Sequence, residues 1–154
     1  MQKTNLSVDF GGQTYTGFSF SELPLAAALL AACRQIDQTA DVARRAVLGD
    51  SLRALEYERA AVEAKAFAAV GYVGDMPPSV QSWADAAELE PQAAADSIIA
   101  EADAWQAALY AIRAARLKGK QWVLKAVSHD AAEALTDTAI ADIRASIAGV
   151  GNAA

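Results

Sequence analysis

Residues 91–127 read PQAAADSIIAEADAWQAALYAIRAARLKGKQWVLKAV. Within them Ile98, Ala102, Trp105, Leu109, Ile112, Arg116, Gly119, Val123 and Ala126 follow one another at alternating steps of four and three, the period that returns side chains to one face of an α-helix. Pro91 is tolerated in a first helical turn, and no later proline interrupts the run. The spacing predicts one helix over 91–127, about 55 Å long at about 1.5 Å per residue. A helix of that length needs a partner along its stripe.

Downstream, Ser128-His129-Asp130 carries turn and capping chemistry, and Leu135, Ala139, Ile140, Ile143, Ile147 and Val150 mark a final amphipathic helix before an end, 151–154, expected to fray. Charge supports pairing the two. Residues 71–110 hold seven acids and no Lys or Arg, residues 111–127 hold five bases and no acid, and residues 128–154 hold four acids and one base. An antiparallel hairpin is expected to set Arg113, Arg116, Lys118, Lys120 and Lys125 against Asp130, Glu133 and Asp137.

Upstream, Gly71-Tyr72-Val73-Gly74-Asp75-Met76-Pro77-Pro78 cannot continue a helix and separates two helical halves. Ser79 to Glu88 reads as a short helix with Val80 and Trp83 on one side. Before the break, Leu25, Leu29, Cys33, Ile36, Ala40, Ala43 and Val47 form one seam, with Ser21 as its N-cap and Pro24 in its first turn. Leu52, Leu55, Val62, Ala66 and Ala69 form a second, interrupted by Arg59. Gly49 between them fits a kink or a turn. Leu6 to Phe10, Gly11-Gly12 and Tyr15 to Phe20 read as a β-hairpin. Two strands alone are marginal, so the hairpin either packs on the following helix or docks on a partner.

The fold class is therefore mainly α, a long helical hairpin or bundle with a short N-terminal β-hairpin. The organisation is a hairpin over 1–20, a helical segment over 21–71 and a helical C-terminal segment over 72–154, read as one structural unit. About a quarter of the 154 residues are alanine, which favours helix but contributes little buried area per side chain. The heptad-like steps favour packing within the chain and also permit an intermolecular coiled coil, hence a homo-oligomer. No stretch approaches the roughly 20 apolar residues of a membrane span, and the single cysteine, Cys33, reads as a buried structural thiol in a protein of the cytoplasm.

The sequence carries few residues in chemically suggestive patterns. His129 is the one histidine, expected to be a solvated turn or capping residue, and no spaced Cys/His set could hold a metal. No phosphate loop, dinucleotide fingerprint or nucleophile elbow occurs, so neither cofactor nor catalytic residue is expected. The pairs Glu56/Glu58 and Glu101/Asp103 lie two apart and read as solvated charges on different faces. Net charge of −6 and a basic cluster with little aromatic interleaving beyond Trp122 read against nucleic acid. Trp105 is expected in the core. Tyr72, Met76, Pro77 and Pro78, with nearby Trp83, form the candidate protein-binding loop, because a rigid Pro-rich turn presenting an aromatic and a methionine costs little to order on binding.

The stretch from Tyr57 to Ala84, with its Gly-Tyr-x-Gly-x-x-Pro-Pro-x-Val-x-x-Trp-Ala spacing, resembles small proteins encoded among the tail genes of tailed bacteriophages and prophages. The resemblance continues through Gln92 to Ile99, Trp105 and Ala111 to Leu117, and covers about two-fifths of the chain. It implies a non-enzymatic tail-associated protein, either an assembly chaperone for tail fibres or a fibre, tail-tip or baseplate component of the virion. Its partners would be tail or tail-fibre proteins, met in the host cytoplasm during assembly or in the virion tail. The alternative is a small phage-encoded regulatory or inhibitory protein that binds a host protein.

Overall fold

The computed structural model describes residues 1–150; the end expected to fray lies outside them. The chain is mainly α with a short N-terminal hairpin: β1 (Leu6–Phe10), β2 (Gln13–Phe18), α1 (Leu25–Leu48), α2 (Ser51–Ala69), α3 (Pro78–Ala87), α4 (Pro91–Val123) and α5 (His129–Ala145). No helix among the described residues is long and apolar enough to cross a membrane. Two compact units emerge, residues 1–46 with 109–149, and residues 47–108 with Val150. The Gly71–Pro78 break falls inside the second.

The first unit contains the hairpin, most of α1, the second part of α4, and α5. Gly11 and Gly12 both have positive φ, the conformation that a two-residue turn needs to match strand twist, and Phe10 pairs with Gln13 across it. Leu6 and Val8 on β1 are buried, so the chain itself covers that part of the hairpin's apolar face, while Phe10 near the turn is exposed. Gln35 on α1 ties down the chain before β1, its Oε1 accepting from the Gln2 N–H at 2.7 Å and its Nε2 donating to the Gln2 carbonyl at 2.9 Å.

Ser21 does not cap α1. It lies inside a 3-10 turn, Phe20–Glu22, whose N-cap is Ser19, with the Glu22 carboxylate accepting from the Ser19 N–H at 3.0 Å. The first α1 bond runs from the Ala28 N–H to the Pro24 carbonyl at 2.9 Å. At the other end Gly49 stops the helix with φ +61°, and the Asp50 side chain caps α2 by accepting from the Leu52 N–H at 2.8 Å. Gly49 therefore separates two helices.

Alanine dominates the buried face of α1: Ala27, Ala28, Ala31, Ala32, Ala40 and Ala43, with Cys33 and Ile36 among them. Burial pushes the Cys33 thiol above its ordinary range. Ile112 and Val123 of α4 and Ala132, Ala139, Ile140 and Ile143 of α5 complete this core. Thr136, also fully buried, satisfies its hydroxyl by donating to the Ala132 carbonyl at 2.6 Å.

Helix α4 ends four residues earlier than the spacing predicts. After the Leu124 N–H bonds to Lys120, the Lys125 and Ala126 N–H groups reach only three residues back, to Trp122 and Val123, so the last turn tightens. Ser128 then caps α5 as expected, its hydroxyl accepting from the Ala131 N–H at 3.2 Å.

The charge pairing differs from expectation. Arg116 and Lys120 both turn to Asp37 on α1, at 2.9 and 2.6 Å, instead of to α5. Burial raises the affinity of Asp37 for a proton, but the two cations more than offset it and hold the carboxyl below its usual range. The α5 acids Glu133 and Asp137 pair with Lys3 and with the Met1 ammonium. His129 is half-buried instead of freely solvated: its Nε2 donates to the Leu23 carbonyl at 2.9 Å, and its ring meets Phe20 edge-on at 5.8 Å.

What joins α4 to α5 is steric. A Cβ on Gly119 would lie 2.4 Å from the Ala139 Cβ and 3.5 Å from Ile36 Cδ1. Helix propensity alone says that Gly119→Ala should stabilise by about 1 kcal/mol. The contact reverses the sign: overpacking is expected to destabilise by about 1–3 kcal/mol in urea denaturation, with part of the loss recovered in Gly119→Ala/Ala139→Gly.

Candidate functional site

The second unit is built from α2, α3 and the first part of α4 around Ala64, Phe67, Val80, Ala84, Ala94 and Ala95. The Gly/Pro stretch sets the path between α2 and α3. The Tyr72 N–H bonds to the Phe67 carbonyl and the Gly71 N–H to the Ala68 carbonyl, both at 3.0 Å, with Gly71 at φ +72°. That is the Schellman arrangement, and its customary apolar contact is present as the Phe67 and Tyr72 rings meeting edge-on at 5.7 Å.

Pro77 is the N-cap of α3 and Pro78 its first residue, so no capping side chain comes from the helix's own start. Glu63 of α2 supplies it, its Oε2 accepting the Ser79 N–H at 3.0 Å. Arg59 donates to the other carboxylate oxygen at 2.9 Å. Bonds from Arg59, then from the Ser79 hydroxyl and N–H, lower the Glu63 pKa to about 2.

Of the five candidate contact residues, only Trp83 presents itself to a groove. Tyr72 and Met76 are half-buried against the small core, with the Tyr72 hydroxyl donating to Asp96 on α4. Pro77 is half-buried and Pro78 exposed, both spent on starting α3. Trp83 is 40% exposed, and its indole N–H donates to the Ser97 hydroxyl at 2.8 Å.

Trp83 joins Tyr57, Ser79, Ile98, Glu101 and Trp105, with Ala60 and Ala102, around a cavity of about 160 Å³ between α2, α3 and α4. Trp105 is half-buried here, not a core residue, and the Tyr57 ring meets it at 63° with centroids 4.6 Å apart. Glu101 and Asp103 are not simply solvated charges: Glu101 lines the cavity, and Asp103 accepts from Lys65 of α2 at 2.8 Å. Sequence reasoning missed Tyr57 and Glu101. Periodicity assigned Trp105 to a core and gave Tyr57 no role, and the spacing of Glu101 and Asp103 read as solvated charge.

The expected α2 seam is inverted. Ala64 and Phe67 are the buried side, while Leu52, Leu55 and Val62 are 70%, 63% and 64% exposed, and Ala66 and Ala69 are exposed with them. Val70 and Val73, just past the end of α2, are exposed as well. Steps of three and four from Leu52 through Arg59 to Ala69 keep the stripe on one face, as in a coiled-coil seam.

No group of three or more His, Cys, Asp and Glu among the described residues could hold a metal ion. Comparison with protein-family models, with curated proteins and with solved structures returns no match.

The Glu63 cap has a pH signature. Its folded pKa lies below the ordinary value of 4.5, so its stabilisation is complete above that value and is lost as pH falls toward 2. Wild-type melting temperature is therefore expected to fall more steeply than that of Glu63→Gln between pH 4.5 and 2. Parallel curves would show that the carboxylate does not hold α3.

Proposed function

We propose that the chain is a non-enzymatic, tail-associated protein of a bacteriophage or prophage that works by binding other proteins, as a tail-fibre assembly factor or a fibre, tail-tip or baseplate component. The observation that carries the binding reading is the row Leu52, Leu55 and Val62, exposed at helical spacing along α2, with Val70 and Val73 exposed where the chain leaves that helix for the Gly-Tyr-x-Gly-x-x-Pro-Pro stretch. Large apolar side chains gathered in a row mark an interaction site far more often than the same residues scattered singly. The tail assignment rests on the resemblance carried by that motif. Helix α2 offers a partner helix Leu52, Leu55 and Val62 at i, i+3 and i+10, with Arg59 between them, on one face of the kind that groove or coiled-coil recognition uses.

The test has two parts. Leu52→Ser/Leu55→Ser is expected to change stability by no more than about 0.5 kcal/mol, since both side chains stand in solvent, and to abolish capture of purified tail-fibre protein. Mass spectrometry of purified virions then separates the two roles: a fixed copy number in particles identifies a component, and presence in lysate but not in particles identifies an assembly factor. Stoichiometric capture of a host protein with no tail protein recovered would overturn the tail reading in favour of a host-directed regulator.

A further inference from the structure

We infer that the cavity between α2, α3 and α4 is a receptor for a single arginine side chain presented by a protein partner, an inference that extends the protein-binding reading to a defined site and ligand chemistry. The cavity's size and lining come first. About 160 Å³ is many times the roughly 10–15 Å³ that one water requires, and three aromatic rings, from Tyr57, Trp83 and Trp105, contribute to its wall. Aromatic rings attract cations through their quadrupole, and a guanidinium, planar and weakly hydrated, stacks on them better than an ammonium does.

The charges select a cation in particular. Glu101 is half-buried in the same wall and takes part in no ion pair among the described residues. Two of the three α2 cations are already engaged, Arg59 with Glu63 and Lys65 with Asp103; Arg53 lies one turn before Tyr57. Residues 71–110, which supply α3 and the α4 side of the cavity, contain seven acids and no Lys or Arg. An arginine entering between the rings would meet a free carboxylate with no competing positive charge from that stretch. A neutral apolar side chain would fill the space and leave Glu101 desolvated without a partner, which costs binding.

Geometry also favours a preformed receptor. The Trp83 indole is held by Ser97, whose own hydroxyl donates to the Ala94 carbonyl at 2.9 Å, and Tyr57 and Trp105 brace each other edge-on. Side chains fixed before binding lose little entropy on it.

The probe is N-acetyl-arginine amide, titrated into the full ¹⁵N-labelled chain while the indole N–H signals of Trp83 and Trp105 are followed. Trp122, which lies in the other unit under Lys118, is the internal reference. Saturable shifts of Trp83 and Trp105 in the millimolar range are expected, with Trp122 unmoved. The neutral isostere N-acetyl-citrulline amide and the apolar N-acetyl-norleucine amide should bind about tenfold more weakly, and Glu101→Gln should weaken the arginine probe by about fivefold while leaving the spectrum folded. Equal binding of the citrulline or norleucine probe, an unchanged affinity in Glu101→Gln, or no saturation at roughly 50 mM would overturn the assignment. No tail protein enters this titration, so an empty cavity and a failed tail association are read out separately.

Discussion

Alanine contributes so little buried area per side chain that helices rich in it gain stability only where their backbones come close, and Gly119 is where that constraint is sharpest. With no Cβ on Gly119, Ala139 of α5 occupies the space that one would fill, and Ile36 of α1 reaches the same point. One absent methyl group thus brings three helices together. The arrangement of Arg116 and Lys120 follows from it. They lie three residues before and one after that closest approach, and their side chains leave it toward Asp37. A carboxylate shared by two cations is well matched to a half-buried seam, because neither cation is left to face an apolar neighbour alone.

The two units solve the shortage of bulky side chains differently. The first buries many alanines around Ile36, Ile112 and Ile143. The second has few buried residues and is held by polar ties between its helices: Glu63 on the start of α3, Tyr72 on Asp96, Trp83 on Ser97 and Lys65 on Asp103. Exposed pairs such as Lys65–Asp103 contribute little singly. The Glu63 cap matters more, since α3 begins with two prolines and has no other side chain to satisfy its first N–H groups.

Helix positions were legible in the sequence because periodicity and breakers are local signals. The turn at Gly11-Gly12, the helix break over Gly71–Pro78 and the Ser128 cap all follow from residues within a few positions of one another, whereas Gly49 fitted a kink as well as a turn. What was not legible is which of two faces a helix buries. On α2 the bulky residues Leu52, Leu55 and Val62 gave the stronger pattern, yet the small face through Ala64 is the one that fits the close packing beside Phe67. The partners of charges were hidden for the same reason. Matching Arg116 and Lys120 to the next acidic segment was natural from order along the chain, but Asp37 lies 79 and 83 residues before them. The cavity combined both difficulties: Tyr57, Trp83, Glu101 and Trp105 come from three helices, and no spacing joins them.

The division into units also orders events during synthesis. The second unit is built chiefly from the continuous stretch 47–108, so its contacts become available as soon as that stretch has left the ribosome. The first unit joins residues 1–46 to residues 109–149 and cannot close until the later segment has been made. At about 5–20 residues per second that segment takes roughly 2–8 s to appear, during which the apolar side of α1 waits without its α4 and α5 neighbours. A waiting surface of leucines would be a hazard to a nascent chain; one made largely of alanine offers little for a stranger to adhere to.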